Sequence, residues 1–439
     1  MGRDGKLTKE AIGYIICNCL LKIIELFVST FLVAYLLTIS NGNMFNVALY
    51  YIVDYIALGF FYSLFSVFLH KGNKVVFYRC GILIKCIFLI LVALLKENIV
   101  DYVVPLALFY GLSSGIYWSS YNVMMNEAIS SKSILKFYGI YNIWGYIISI
   151  AAPIALGSII EVGSFVTTAV YAFIVCLLLF FTTFLLVSRK EEGDKLDFKE
   201  FVKDIKENKQ SKTFIECYLM TFLNGLRQST GTIITIMIVL TFNSNMSLGS
   251  LSSIMSIASI LITILFMRKY HPSRSKIVFL CMGLVVIGVG GILLGISKST
   301  VVLFNVLYTI SMIVPDNLNS QKRMGIIRIT KKLKYALEHN VLAEVSLNIG
   351  RVISYVVLLV ASFSSSLNVY KVLLIINLVC ICLYCLIVYI VEKKYSGIIL
   401  RNDILEHLRQ VEDDCPNYYH YKGELRKEYH NKELIKESI

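Results

Sequence analysis

The chain has 439 residues, 57% of them apolar, and 42 Lys and Arg against 29 Asp and Glu, for a formal net charge of +13. Its mean hydropathy of +0.70 excludes an ordinary water-soluble globule. The placement of the positive charge excludes nucleic-acid binding as its explanation, because the charge gathers in every second gap between apolar stretches.

Twelve such stretches fall at 11–38, 43–69, 76–95, 102–123, 137–160, 165–188, 213–242, 247–267, 277–296, 300–317, 342–364 and 372–391. Each approaches or exceeds the ~20 residues that a helix needs to cross about 30 Å of hydrocarbon. The amino-terminal tail, alternate loops and the carboxyl-terminal tail hold 35 of the 42 basic residues, whereas the other loops hold only Lys96, Lys298 and Lys371. Loops that keep Lys and Arg stay cytoplasmic, so the expectation is a multi-pass membrane protein with both termini in the cytoplasm. The charged opening residues lead into a span too long for a signal-peptide core, so the first helix is expected to be retained.

Span one carries Asn18, Lys22, Glu25 and Ser29 at steps of four, three and four, which define one helical face. Span two presents Tyr51, Asp54, Tyr55, Tyr62 and Ser66. Span three opens with Lys74-Val75-Val76-Phe77-Tyr78-Arg79-Cys80-Gly81 and holds Lys85 near its middle, read as structural. On span four, Tyr117, Trp118, Tyr121, Asn122 and Met125 share a face, and span five has Trp144 beside Tyr141, Asn142 and Tyr146. These aromatics read either as interfacial anchors or as the lining of a pocket for an apolar or amphipathic molecule.

Residues 189–212 divide the spans six and six and carry 8 basic and 7 acidic residues. From Asp197 to Lys209 they read either as a surface helix, with Phe198, Phe201, Val202 and Ile205 on one side, or as a solvated linker. Span seven then shows Asn224, Arg227, Gln228, Gly231 and Thr235. Span nine opens with Lys276-Ile277-Val278-Phe279-Leu280-Cys281-Met282-Gly283, an echo of span three 202 residues later. Span ten offers Asn305, Tyr308, Thr309, Met312 and Asp316, and span eleven Glu344, Asn348, Arg351 and Tyr355. In the tail, Ile398, Ile399, Leu400, Ile404, Leu405, Leu408 and Val411 have the spacing of a short amphipathic helix, and the stretch from Asp413 on reads as disordered.

The echo and the six-plus-six division predict a duplicated all-α membrane fold, with a site between the halves near the midplane. The expected units are 1–188, a linker at 189–212, a second half at 213–392 and a polar tail at 393–439. A charge at the bilayer centre costs ~3 kcal/mol on insertion scales, so charged spans face a cavity or a partner. By that rule spans one, two, four, five, seven, ten and eleven build a wet interior, and six, nine and twelve lie outside. Glu25 and Arg227 each stand about 21 Å from the cytoplasmic start of their spans at ~1.5 Å per residue, which predicts a pair across the halves. Asp54 and Arg351 reach similar depth from opposite sides and are predicted to be neighbours. The alternative for Lys22 and Glu25 is a mutual i,i+3 pair that only neutralises span one.

With these features the chain resembles the major facilitator superfamily over roughly residues 11–391. The resemblance implies twelve helices in two pseudo-symmetric six-helix halves that open alternately. Exporters of that superfamily carry G-x8-G-x3-G-P-x2-G-G in span five. Here Gly139, Pro153 and Gly157 match, while Ile148, Ala152 and Leu156 replace glycines, which favours an exporter. The loop after span two, Leu69-His70-Lys71-Gly72-Asn73-Lys74, lacks the family's acid, and span four lacks the arginine of many proton-coupled members. Glu25, Asp54 or Glu344 would then carry the proton, with Glu344 placed near the cytoplasmic mouth. Lys22, Tyr117, Trp118, Tyr121, Asn122, Asn142, Asn224, Arg227, Gln228, Asn348 and Arg351 are the candidate cavity residues, and Gly139, Pro153 and Gly157 the packing and gating ones.

The leading expectation is proton-coupled export of a small amphipathic compound across the plasma membrane by a monomer, with proton or sodium as the coupling ion. The alternatives are a lipid flippase or uptake carrier, and a transport-dead sensor or scaffold. No cofactor or metal is expected. The 11 cysteines, Cys382-x-x-Cys385 included, form no disulfide or zinc framework. An enzyme is disfavoured, since no nucleotide loop or catalytic set stands out and all six histidines are read in loops or the tail.

Overall fold

The computed structural model describes residues 9–69, 74–128, 134–186, 196–207, 211–242, 244–269, 276–329, 335–364 and 368–414. Among them there is no strand. Span one is α1 (Lys9–Leu26), a π turn (Phe27–Leu32) and α2 (Val33–Ile39) in one continuous rod. Spans two to six are α3 (Phe45–Phe68), α4 (Lys74–Leu95), α5 (Val103–Ala128), α6 (Ile134–Val162) and α7 (Phe165–Thr182). The linker holds α8 (Phe198–Glu207). Span seven is broken into α9 (Ser211–Leu226) and α10 (Ser229–Phe242), and α11 (Asn245–Lys269), α12 (Ile277–Leu294), α13 (Lys298–Ile329), α14 (Ala336–Ala361) and α15 (Asn368–Asp414) complete the twelve spans.

Eleven of these rods are long and apolar enough, by length and composition, to cross a bilayer. The twelfth, α5, is too polar on average because Ser113, Ser114, Ser119 and Ser120 are buried inside the protein. It lies between α3 and α4. Ser113 Oγ donates to the Gly81 carbonyl at 2.8 Å, and Ser120 Oγ to that of Ile116 at 3.0 Å. A helix packed on protein rather than lipid can be this polar without an unsatisfied group.

Helices in the second half overrun their predicted ends. The helix of span eleven begins at Ala336 rather than at 342, and that of span twelve runs unbroken to Asp414. Hydropathy reads only the part of a helix immersed in hydrocarbon, so polar extensions escape it. The tail segment from Ile398 to Val411 is thus helical, as a continuation of span twelve. Its side chains, residues 415–439 and the basic turns at 70–73 and 271–275 lie outside the described residues. The echoed segments do begin equivalent helices, α4 and α12.

Within each half the spans pack on their neighbours, α3 and α4 on α5 in the first, α12 on α13 and α9 on α14 in the second. Across the halves α3 meets α14 and α6 meets α11, which are spans two with eleven and five with eight. A twofold exchange of the halves maps one contact onto the other. At the end away from the basic loops, Gly42 lies against Leu240 and the Phe45 and Phe363 rings are 5.8 Å apart. Gly157, in the matched part of the span-five pattern, backs onto α11: a Cβ there would stand 2.8 Å from the Asn245 carbonyl oxygen. Pro153 is the backbone neighbour of Gly249 in the same crossing.

Candidate substrate and coupling site

Three polar clusters sit inside the bundle, one in each half and one where α3 meets α14. In the first half, Asn18 Nδ2 donates to the Tyr14 carbonyl at 2.9 Å and to Tyr121 Oη at 2.7 Å. Tyr121, Tyr117 and Trp118 pack together, and Tyr117 Oη accepts from Tyr78 Oη at 3.1 Å. Asn122 Nδ2 donates to Tyr62 Oη at 3.1 Å. Lys22 Nζ donates to the Gly145 carbonyl at 2.9 Å, so this lysine ties α1 to α6. Trp144 does not join the group: it is exposed beside Ile143 and Ile147, as a lipid-facing anchor would be. Gly139 and Asn142 lie on α6, with side-chain surroundings outside the described residues.

Lys85, read as structural, lies at the centre of this half. It is fully buried, with Nζ 3.4 Å from Ser114 Oγ and 4.5 Å above the Tyr110 ring centre. Its charge is the strongest acting on Glu25, followed by those of Lys22 and Arg351. It also acts on Asp54, second to Arg351.

In the second half Arg227 follows the end of α9, at the break in span seven. Its Nη1 donates to Tyr308 Oη at 3.0 Å, and its Nη2 to Asn224 Oδ1 at 2.7 Å and to Asp316 Oδ1, with which it forms an ion pair. Tyr384 of α15 stacks its ring 4.7 Å from the guanidinium and donates its hydroxyl to Asp316 Oδ1 at 2.9 Å. The Asp316 side chain remains 43% exposed against 7% for Arg227. Asp316 is thus the open member of the pair and Arg227 the enclosed one.

The break itself is stapled. Ser229 N donates to Ser354 Oγ at 3.3 Å, Ser354 Oγ to Ser229 Oγ at 2.6 Å, and Ser229 and Thr230 both donate to Asn377 Oδ1, at 3.2 and 2.9 Å. Groups freed where the helix stops are thereby satisfied by α14 and α15. Span twelve, expected outside, thus contributes Asn377 and Tyr384 inward. It was misread because charge alone was used to sort the spans, and amide and phenol groups carry none.

The third cluster hangs on Arg351. Its Nε donates to Gln228 Oε1 at 2.7 Å and its Nη1 to Asn348 Oδ1 at 3.0 Å, with Glu344 Oε1 at 3.8 Å. The guanidinium lies 4.7 Å from the Tyr55 ring centre. Tyr51 and Tyr55 of α3 meet Tyr355 of α14 with ring centres 4.5 and 5.6 Å apart, and Thr232 and Tyr355 hydroxyls are 2.6 Å apart. Asp54, 2% exposed, sits on α3 in this neighbourhood with Oδ1 unpartnered.

Several expectations require correction. Glu25 and Arg227 do not pair: Arg227 is taken by Asp316, and the charges around Glu25 are those of Lys85, Lys22 and Arg351. Their equal depth has another origin, since the 202-residue repeat maps position 25 onto 227. Asp54 and Arg351 are electrostatic neighbours, as expected, but no ion pair joins them. Glu344 is buried on α14, about 12 Å from the start of that helix at Ala336, at ~1.5 Å per residue. His339 is not in a loop: it lies buried on α14, with Nδ1 2.7 Å from Tyr218 Oη.

Twelve spans in two pseudo-equivalent halves, with ionisable clusters between and within them, define a multi-pass membrane transporter. A family model described as Major Facilitator Superfamily matches residues 12–315. The chain belongs to the Major Facilitator Superfamily. It is also similar to the uncharacterized protein YqgE of Bacillus subtilis (strain 168), at 25% identity over 293 residues, covering 65% of this chain and 67% of that protein. Among solved structures, a bacterial homologue of the iron transporter ferroportin in an inward-facing state superposes with a TM-score of 0.62 at 14% identity, covering 88% of this chain and 98% of the other. The nucleoside transporter NupG gives 0.59 at 15% identity, over 88% and 98%. The human organic anion transporter MFSD10 gives 0.57 at 11%, over 86% and 100%. At such identities the likeness speaks for the fold.

Proposed function

We propose that the chain is a secondary active transporter that couples proton movement to export of a small amphipathic organic compound, by alternate opening of its two halves. The observation that carries this reading is Asp54, a carboxylate buried where α3 meets α14, with one oxygen unpartnered. A carboxylate at the crossing of the two halves has surroundings that an exchange of open states would alter, as proton-coupled transport requires. Glu25, facing Lys85, is the second carrier candidate, and Glu344, held by Asn348 and Arg351, the third.

Discontinuous helices with polar side chains at the break are where such transporters place cargo. Span seven has that form, with Asn224, Arg227 and Gln228 at the break and Asn348 and Arg351 beside it. The aromatic group of Tyr117, Trp118 and Tyr121 suits the apolar body of such a cargo, and Asn18, Lys22 and Asn122 suit its polar tip. The alternating basic loops favour cytoplasmic termini in the plasma membrane. The partial span-five pattern, with Gly157 and Pro153 in the crossing of α6 and α11, favours export.

The test uses inside-out vesicles with an acidified lumen, a fluorescent pH dye and a library of amphipathic compounds. A cargo is expected to dissipate the gradient in wild type and to lose that effect in Asp54→Asn, while compound exchange without a gradient persists. Undiminished proton flux in Asp54→Asn would remove the assignment of Asp54. Cargo that moves only with a sodium gradient would remove proton coupling itself.

A further inference from the structure

The linker helix α8 is built of unlike sides. At helical spacing Phe198, Phe201, Val202 and Ile205 share one side, Lys199, Lys203 and Lys206 run along one edge of it, and Glu200 and Glu207 fall opposite. The helix begins on a cap, since Asp197 Oδ1 accepts from Glu200 N at 2.9 Å. Its start is fixed to the second half: Asp197 N donates to Glu338 Oε1 of α14 at 2.8 Å, and the Phe201 ring packs 5.7 Å from that of Tyr335, just before α14.

This docking uses only part of the apolar side. Phe201 is buried, but Phe198 and Val202 remain 40% and 44% exposed, next to three exposed lysines. Lys203 Nζ lies 4.0 Å from Glu207 Oε1, with both side chains mostly in solvent, a contact too weak to occupy the lysine. The anchor point matters most. Tyr335 and Glu338 lie at the start of span eleven, so α8 is held beside the end of a helix long and apolar enough to cross a bilayer.

We propose that α8 is an interfacial helix whose exposed Phe198 and Val202 enter the bilayer surface while Lys199, Lys203 and Lys206 bind anionic phospholipid headgroups. An apolar strip edged by lysines, tethered to the end of a membrane-spanning helix, fits an anionic lipid surface in both shape and charge. The helix then ties the joint between the halves to the membrane plane and to the second half at once.

The test places Val202→Trp in the full chain, reconstituted in phosphatidylcholine or in phosphatidylcholine mixed with phosphatidylglycerol, each brominated near the top of the acyl chains. Emission is read as the difference from the parent, which keeps Trp118 and Trp144. The added emission should be quenched several-fold more strongly in the anionic mixture than in phosphatidylcholine alone. Changing Lys199, Lys203 and Lys206 together to Gln, or to Glu, should abolish that difference and admit quenching by aqueous iodide. Equal bromine quenching in both lipids would overturn the headgroup assignment. Iodide quenching in both lipids, or protection from both quenchers as under a protein partner, would overturn the interfacial helix.

Discussion

Asp316→Ala is expected to destabilise the protein more than Arg227→Ala, although the two side chains form one ion pair. Removing the carboxylate leaves a guanidinium 7% exposed with its charge uncompensated, whereas Asp316, 43% exposed, is open enough to be hydrated when Arg227 is removed. Breaking a buried pair costs roughly 3–5 kcal/mol, and the exposure of Asp316 places this case at the lower end. Arg227→Ala should cost about 1–2 kcal/mol, the scale of lost hydrogen bonds to Tyr308 and Asn224. Chemical unfolding in mixed micelles ranks the two, and the reverse order would show that Arg227 is hydrated. The double variant Arg227→Met with Asp316→Leu should recover much of the loss, because it removes both charges together.

Gly350→Ala should be nearly as damaging without touching any charge. A Cβ at Gly350 would stand 2.9 Å from Leu226 N and 3.1 Å from Gly225 Cα, and one at Gly225 would stand 2.9 Å from Arg351 N. The two glycines face each other where α9 and α14 cross, so either methyl must part the helices. Overpacking of this kind costs about 1–3 kcal/mol. It should also break the 2.7 Å hydrogen bond from Arg351 to Gln228, which spans the same crossing. Gly283→Ala on α12 is the control. Nothing lies within 4 Å of its Cβ position, so it should be neutral or gain slightly from helix propensity. Equal melting temperatures for the Gly350 and Gly283 variants would refute the tight crossing.

The legible part of this fold was what the bilayer imposes. Twelve apolar stretches and alternating basic loops carry topology, because an unsatisfied backbone and a misplaced lysine are both costly in lipid. The illegible part was lateral. Depth arithmetic put Glu25 level with Arg227, yet it carries no information on which way each helix turns its face. The partner of Arg227 stood in view as Asp316, on a face with Asn305, Tyr308 and Met312, but nothing in span ten alone says which neighbour it meets. Tyr384 and Asn377 were invisible for a different reason: on a strongly apolar helix a phenol or an amide does not register as a site. His339 was taken for a loop residue, because α14 begins in residues polar enough to hide its first turns. Lys85 was visible as a lone lysine in an apolar span, but its neighbours Ser114 and Tyr110 on α5 were not.

The π turn at Phe27–Leu32 has a consequence for how span one moves. It begins two residues after Glu25, and its residues pack against the first half, with Phe27 and Phe31 buried. A wide turn holds one residue more than the regular helix around it needs. Span one is thus expected to change its twist here first, between the length that carries Asn18, Lys22 and Glu25 and the length beyond Leu32. Deleting one residue from Phe27–Leu32 should close the turn into regular α-helix with both lengths still in register, and undiminished transport by that variant would count against a role for the turn in movement.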